Sequence, residues 1–488
     1  MLSSLSWPEP PPRRRGFLHR CRSLVLVASC LVSTVGCASL PEPAHEQPDL
    51  DLQPVQLESG RGTVSVPESA AIIRRLERQA GQADAGGDGG ILQRHLAVEE
   101  AINTQSPLVL GNQLRLLKDG PATYEAMFAA MRTAKDHIHL QTYIFADDAV
   151  GRQFADLLLE KQAAGVQVNL IYDSVGCLDT PASFFQRLRD GGVAVLEFNP
   201  INPLMVRKDE WLLNNRDHRK LLVVDGRTAF LGGININESY SSGSSAVLPG
   251  RSDPHDPSEA GWRDTHLQID GPVVAEFQKL FFDTWTRQKG PPLAQRNYFP
   301  PLTPQGDHIV RAIGSTADDE ESLIYSTLLS AIDHAEQRVF LTNAYFVPDP
   351  RLMQSLTTAA RRGVDVRLIL PSQTDSWAVF HAGRSHYAAL LRAGVKVFER
   401  RGTVLHSKTA TVDGVWSTIG STNLDWRSFL HNDELNAVVL GHGFSRQMEA
   451  MFEYDQKQSD AIDLKRWNRR SPLLRIKEWA ARLAEYWL

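Results

Sequence analysis

A repeat inside the chain constrains its fold more than any other feature. In the first copy, a predicted helix (121–135) leads to the β-prone run 137–145. A second helix (148–163) leads to 165–173, and a third (181–190) to 192–198. The second copy keeps that order: helix 318–335 to 338–346, helix 351–361 to 363–370, helix 381–392 to 394–399. Short β-branched runs alternating with helices predict βαβ units and a largely parallel sheet. The expected fold class is α/β, built as two duplicated sandwich halves, 107–290 and 305–460, sharing one site at their interface. Pro291, Pro292, Pro300, Pro301 and Pro304 mark the link between them.

Each copy ends in the same motif. The first holds Asp217-His218-Arg219-Lys220 running on to Asp225-Gly226, and the second holds Leu405-His406-Ser407-Lys408 running on to Asp413-Gly414. Both read H-x-K-x-x-x-x-D. The match continues through Gly232-Gly233-Ile234-Asn235 and Gly420-Ser421-Thr422-Asn423, with 17 residues from His to Asn in both. In extended chain, His and Lys at i and i+2 share a face. Imidazole titrates near neutrality and can attack phosphorus or pass a proton. Lys220 and Lys408 supply positive charge for phosphate oxygens, and Asn235 and Asn423 supply neutral donors. The turns at Gly233 and Ser421 let backbone approach a substrate closely. Two such sets facing each other put two His on one phosphorus. One attacks and the other protonates the leaving oxygen, then they exchange duties with the acceptor. Lysine and asparagine would stabilise the charge, so neither a metal nor another cofactor is expected. Asp225 and Asp413 each precede Gly in a turn, and a structural role is expected for both.

Composition narrows the alternatives. The formal net charge of the 488 residues is −5, which argues against a dedicated nucleic-acid partner and disfavours a nuclease. Hydrophobic residues make up 42%, enough for a large core without staples. The four cysteines are Cys21, Cys30, Cys37 and Cys177, with no C-x-x-C pair, so a disulfide scaffold or structural zinc site is excluded. No apolar run reaches 18 residues, which excludes a polytopic membrane protein.

The paired motif resembles the HKD signature of the phospholipase D superfamily, over residues 107 to about 460. Finer features are similar to bacterial cardiolipin synthases of the branch without N-terminal transmembrane helices. They are Tyr143-Ile144-Phe145, Asn215-Arg216-Asp217, Trp262-Arg263-Asp264-Thr265-His266 with Gly271-Pro272-Val273-Val274, and Asp425-Trp426-Arg427-Ser428. The resemblance implies that a carboxylate from a strand after each motif orients each His, which carries over to Asp264 and Glu434; for Asp264 a surface turn is the alternative. It implies a phosphatidyltransferase with a phosphohistidine-type intermediate and His218 as nucleophile. The substrates implied are phosphatidylglycerol with a second phosphatidylglycerol or phosphatidylethanolamine. Hydrolysis to phosphatidic acid is the near alternative. A membrane-tethered binding module is the distant one, opposed by two intact His–Lys pairs. Both motifs lie in one chain, so a monomer is expected.

The ends of the chain bear on location. Arg13, Arg14, Arg15, Arg20 and Arg22 precede an apolar run, 24–35, and then Thr34-Val35-Gly36-Cys37. This resembles a bacterial lipoprotein signal (1–37) with Cys37 lipidated, although Thr34 stands where Leu is usual; a plain signal peptide is the alternative. A lipoprotein facing the bacterial periplasm is the expectation, on either the inner or the outer membrane. Residues 38–106 read as a tether (38–63), a helix (68–80), a Gly/Ala/Asp hinge (80–90) and a helix (91–103). The insertions 199–217 and 239–260 either shape a substrate mouth or are mobile. The tail 461–488 carries Trp467, Trp479 and Trp487 among basic residues. It suits an anionic membrane surface, or else packs back on the body.

Overall fold

The repeated βα pattern resolves into two copies of one sheet. The structure is a computed structural model describing residues 54–79, 81, 90–103, 105–207, 212–244, 261–319 and 322–488. The signal segment with Cys37, most of the tether and hinge, and residues 245–260 lie outside them. Pro43–Leu488 forms one compact unit. In its first half the strand order is Ala194–Phe198, Gln167–Asp173, His137–Thr142, Leu221–Val224, Thr228–Gly232, Thr265–Asp270, Leu108–Lys118. The second half gives Lys396–Arg400, Asp365–Pro371, Arg338–Asn343, Lys408–Val412, Trp416–Gly420, Asn432–Leu440, His308–Ser315. The last strands of the two runs pair antiparallel and fuse the halves.

The sheet is mixed, not largely parallel as the alternation predicts. Only the first three strands of each run are parallel. The motif itself accounts for the hairpin in each run. Asp225 and Gly226 take φ of 52° and 62°, and Asp413 and Gly414 take 53° and 67°. Two consecutive positive φ values make a tight hairpin turn, which returns the chain antiparallel. The Asp225 carboxylate accepts from the backbone N–H of Lys135, Asp136 and His137 at 2.8–3.0 Å. Asp413 accepts from Glu336, Gln337 and Arg338 at 2.7–2.9 Å. Each aspartate thus ties its hairpin to the start of the neighbouring strand, the structural role expected of it.

Helices cover the sheet through regular apolar spacing. Pro350–Arg361 starts on Asp349, whose carboxylate accepts from Arg351 and Leu352 N–H, and buries Leu352, Leu356 and Ala359. That is an i, i+4, i+7 stripe behind a cap with Pro at the first turn. Ala149–Ala163 starts on Asp148 and buries Phe154, Leu157 and Leu158. Both helices, like Ala182–Asp190 and Trp377–Ala393, lie where the periodicity predicts them.

The body starts earlier than Pro107, and the tether is shorter than expected. Leu57–Ser59 pairs parallel with Leu108–Lys118. The helix Ile91–Ile102 buries Leu92, Leu96 and Val98, and its His95 Nε2 lies 3.0 Å from Asp413 Oδ2. Burial would raise the Asp413 carboxyl, but His95 and the backbone donors outweigh it and hold it below the usual range. The tail also departs from expectation at one position. Trp467 is buried beside the Tyr387 ring, with the Arg384 and Arg470 guanidinium groups over its own ring, so it is no surface anchor. The stem of the 199–217 insertion is fixed: Asn199 donates to Asn215 O at 2.9 Å and Arg216 to Ser174 Oγ at 2.8 Å.

Candidate active site

The site is assembled by strand register between the halves. Arg216–Asp217 pairs parallel with Asn432–Asp433, and His218 N–H donates to Asp433 O at 2.9 Å. One residue further along each chain, His218 meets Glu434, with Nδ1 3.0 and 3.1 Å from the two carboxylate oxygens. The second motif repeats the device. Leu405 bridges Arg263 in parallel, and His406 N–H donates to Arg263 O at 2.8 Å. The next residue, Asp264, places Oδ2 2.7 Å from His406 Nδ1. Each histidine is therefore served by the carboxylate of the other half, a crossing that spacing along the sequence does not reveal. Asp264 is fully buried, not a surface turn residue.

A carboxylate at Nδ1 selects the tautomer that donates there, leaving the Nε2 lone pair for chemistry. Burial lowers His218 to about 4, against the opposing pull of Glu434. His218 is thus a neutral base at pH 7. Burial also lowers His406, with Lys408 adding to the effect and Asp264 opposing it. Burial would raise Glu434, but His218, Lys220 and Ser421 together hold it at about 2. Lys220 and Lys408 are lowered, mainly by burial, to about 7 and about 8. An anionic phosphodiester between these four bases would raise all of them, because an opposite charge favours the protonated form.

The other expected residues divide into three groups. Lys220 and Lys408 lie in the site, each donating to the carbonyl of its own histidine. Asn235 Nδ2 donates to Tyr240 Oη at 3.2 Å, and that oxygen lies 3.2 Å from His406 Nδ1. Asn423 is buried, and its Oδ1 has no hydrogen-bond partner among the described residues. Gly233 and Ser421 sit behind the histidines, against the supporting carboxylates. Ser421 Oγ donates to Glu434 Oε2 at 2.5 Å, and a Cβ on Gly233 would meet Asp264 Oδ1 at 2.3 Å. Asp225 and Asp413 are held in the hairpin turns.

Sequence reasoning gave no role to the rings around the site. Tyr143 stands 5.1 Å from His218, and Trp262, Tyr240 and Tyr345 stand 5.2, 5.9 and 6.1 Å from His406, ring centre to ring centre. They leave His218 and His406 only 8% and 5% exposed. Aromatic residues flanking each motif were the available signal. Two arginines brace the carboxylates from behind. Arg219 Nε donates to Glu434 O at 3.0 Å, and Arg263 donates to Asp264 O. Arg263 also binds both oxygens of Asp455 at 2.7–3.0 Å and Asp119 at 3.3 Å. Arg263→Ala would leave buried Asp119 without its cation and Asp455 with only Arg400 at 3.5 Å, so it is expected to destabilise the fold by about 3 kcal/mol in urea unfolding.

Comparison with known proteins identifies the family. The family described as cardiolipin synthase, PLD-like domain, matches residues 127–245 and 328–456, one stretch in each half. The cardiolipin synthase of Alkalihalophilus pseudofirmus is 34% identical over 382 residues, 78% of this chain and 73% of the relative. Cardiolipin synthase A of Pseudomonas entomophila is 38% identical over 359 residues, 73% of this chain and 71% of the relative. Among solved structures, the phosphatidylserine synthase of Haemophilus influenzae shares the fold. It has a TM-score of 0.57 at 14% identity, over 81% of this chain and 100% of that one. With both halves matched and the motif histidines facing one site, the chain belongs to the cardiolipin synthase family of the phospholipase D superfamily.

Proposed function

We propose that this chain is a phosphatidyltransferase that joins two phospholipids into cardiolipin. The observation that carries this reading is the crossed pair of supported histidines, His218–Glu434 and His406–Asp264, between two lysines. His218 Nε2 attacks the phosphorus of a phosphatidylglycerol. The P–O bond to the headgroup glycerol breaks, and that oxygen takes the Nε2 proton of His406. The hydroxyl of a second phosphatidylglycerol, or of another acceptor lipid, then gives its proton to His406 and attacks the phosphohistidine. The P–N bond breaks and His218 is regenerated. Lys220, Lys408 and Asn423 would hold the equatorial oxygens. The aromatic wall favours a lipid alcohol over water as acceptor, by limiting bulk solvent at the phosphorus.

The test is product analysis by mass spectrometry after incubation with phosphatidylglycerol, with and without phosphatidylethanolamine. Cardiolipin supports the proposal, and phosphatidic acid alone would replace it by hydrolysis. Activity is expected to survive excess EDTA, since lysines carry the charge stabilisation; loss on chelation with recovery on one added metal would refute this mechanism. The pH profile has a definite sign. Attack needs neutral His218, so kcat/KM should rise with pH through about 4. Headgroup release needs a proton on His406 Nε2 and phosphate binding needs charged lysines, so it should fall again as His406 and then, past about 7 to 8, the lysines lose their protons.

The proposed location rests on the leader sequence: Cys37 carries the lipid, and the body faces the periplasm. Ala38, not Asp, follows Cys37, which under the sorting rule of some bacteria would not retain it at the inner membrane. Cys37→Ser should retain catalysis in detergent micelles while forming little product in cells. Normal product and membrane fractionation of that variant would remove the anchor from the account.

A further inference from the structure

The C-terminal helix Pro472–Arg482 is amphipathic, but its apolar face points outward. Leu473, Ile476, Trp479 and Leu483 lie on one stripe of the helix and its final turn, and are between 60% and 71% exposed. The opposite face holds the helix to the body. Glu478 and Ala481 are buried, Arg470 Nε binds both oxygens of Glu478 at 2.9 and 3.1 Å, and Ala481 joins Val347 and Ala382 in an apolar cluster. A helix that buries a glutamate and exposes its large apolar residues inverts the usual pattern of a soluble surface. A contiguous apolar patch of this kind marks an interaction site.

Its surroundings identify the occupant. At 100° per residue, Lys477 flanks one edge of the stripe, and Arg475 and Arg482 flank the other. Lys465, Arg466 and Arg469 are exposed just before it. Cations bordering large apolar side chains, with Trp among them, fit the interfacial region of an anionic bilayer. A second copy of this helix would set these cations against each other.

The helix also sits on elements that frame the active site. It packs on Trp377–Ala393, whose first residue, Trp377, is 54% exposed. Two residues earlier, Asp375 accepts from Tyr345 Oη at 2.6 Å, and the Tyr345 ring faces His406. The residues after the helix reach the segment following Asn423: Arg427 N–H donates to Leu488 O at 3.1 Å, and the Trp426 and Tyr486 rings lie 5.7 Å apart.

We propose that Pro472–Arg482 is the surface by which the folded body docks on an anionic lipid bilayer, inserting Leu473, Ile476, Trp479 and Leu483 among the headgroups. The docking stands without the transferase reading; its purpose, bringing lipid to His218 and His406, rests on that reading. The orientation is a property of the body, separate from any anchor at Cys37.

The compact unit Pro43–Leu488 carries two large apolar cores, one around Phe154, Leu170 and Phe230 and one around Ile171, Phe277 and Val439, so it serves as the test protein free of the leader. It should float with phosphatidylglycerol vesicles and much less with phosphatidylcholine vesicles. The triple variant Leu473→Gln, Ile476→Gln, Trp479→Gln should lose at least about tenfold in vesicle partition. Arg475→Gln with Lys477→Gln should weaken binding to phosphatidylglycerol and flatten its salt dependence. Turnover of a short-chain phosphatidylglycerol below its micelle concentration should stay unchanged in all variants, which also reports an intact fold. Equal flotation of the triple variant and the parent would overturn the proposal. So would failure of the parent to float, or its dimerisation through this helix in place of vesicle binding. Normal flotation with no transfer of lipid would leave the docking standing and remove the transferase reading.

Discussion

Alanine at His218 or at His406 is expected to lower turnover by about 10⁴-fold or more, and the double variant should be no slower than either single one. The two imidazoles act on one phosphorus in one cycle, so removing either stops the same step. The loss should appear in kcat with substrate binding largely kept, because Lys220 and Lys408 remain to hold the phosphate. The variants also separate the roles. With His406→Ala, a headgroup that leaves without protonation should let radiolabelled phosphatidyl accumulate on His218. With His218→Ala, no covalent label should form. Label on His406 alone would reverse the assignment, and additive losses would mean that the histidines do not share a site.

Much of this arrangement is legible in the sequence, because the chemistry is written twice. A single H-x-K has many structural explanations. Two copies with Asn235 and Asn423 at the same offset have few, and the βα order around them predicts two similar halves. What cannot be read is anything set by register between distant strands. Asp264 follows Arg263 and Glu434 follows Asp433 in the chain. Only the pairing of Arg263 with Leu405, and of Asp433 with Asp217, decides which histidine each carboxylate serves. The hairpins within the mixed sheet have the same origin. Local propensity finds the strands, while the positive φ of Asp225 and Asp413 sets the direction of the next one. The helix Ile91–Ile102 reads as an appendage because its length and caps say nothing of a partner. His95, Glu99 and the apolar residues between them gain meaning only against Asp413, Trp416 and Arg311. The tail shows the reverse error. Trp467 and Trp479 look alike in composition, yet one packs on Tyr387 and the other faces out.

The crossed carboxylates make the second large prediction. Glu434→Gln is expected to slow formation of the phosphohistidine by about 10² to 10⁴-fold while leaving the fold intact. The charge of Glu434 holds the proton on His218 Nδ1 and offsets the positive ring that forms when Nε2 attacks. An amide of the same shape can keep the bond from Ser421 Oγ through its carbonyl. It supplies no charge, and it can turn an N–H toward Nδ1 and impose the wrong tautomer. Because Glu434 raises His218, removing its charge should move the acid limb of kcat/KM below about 4, not above it. Asp264→Asn should act on the other chemical event, release of the headgroup through His406, so a phosphorus-labelled enzyme trapped at early times separates the two variants. Since Asp264 comes from the first half and Glu434 from the second, each substitution should impair the histidine of the opposite half. If Glu434→Gln slows only the step that depends on His406, or leaves the acid limb in place, the crossing seen in the structure does not operate in turnover.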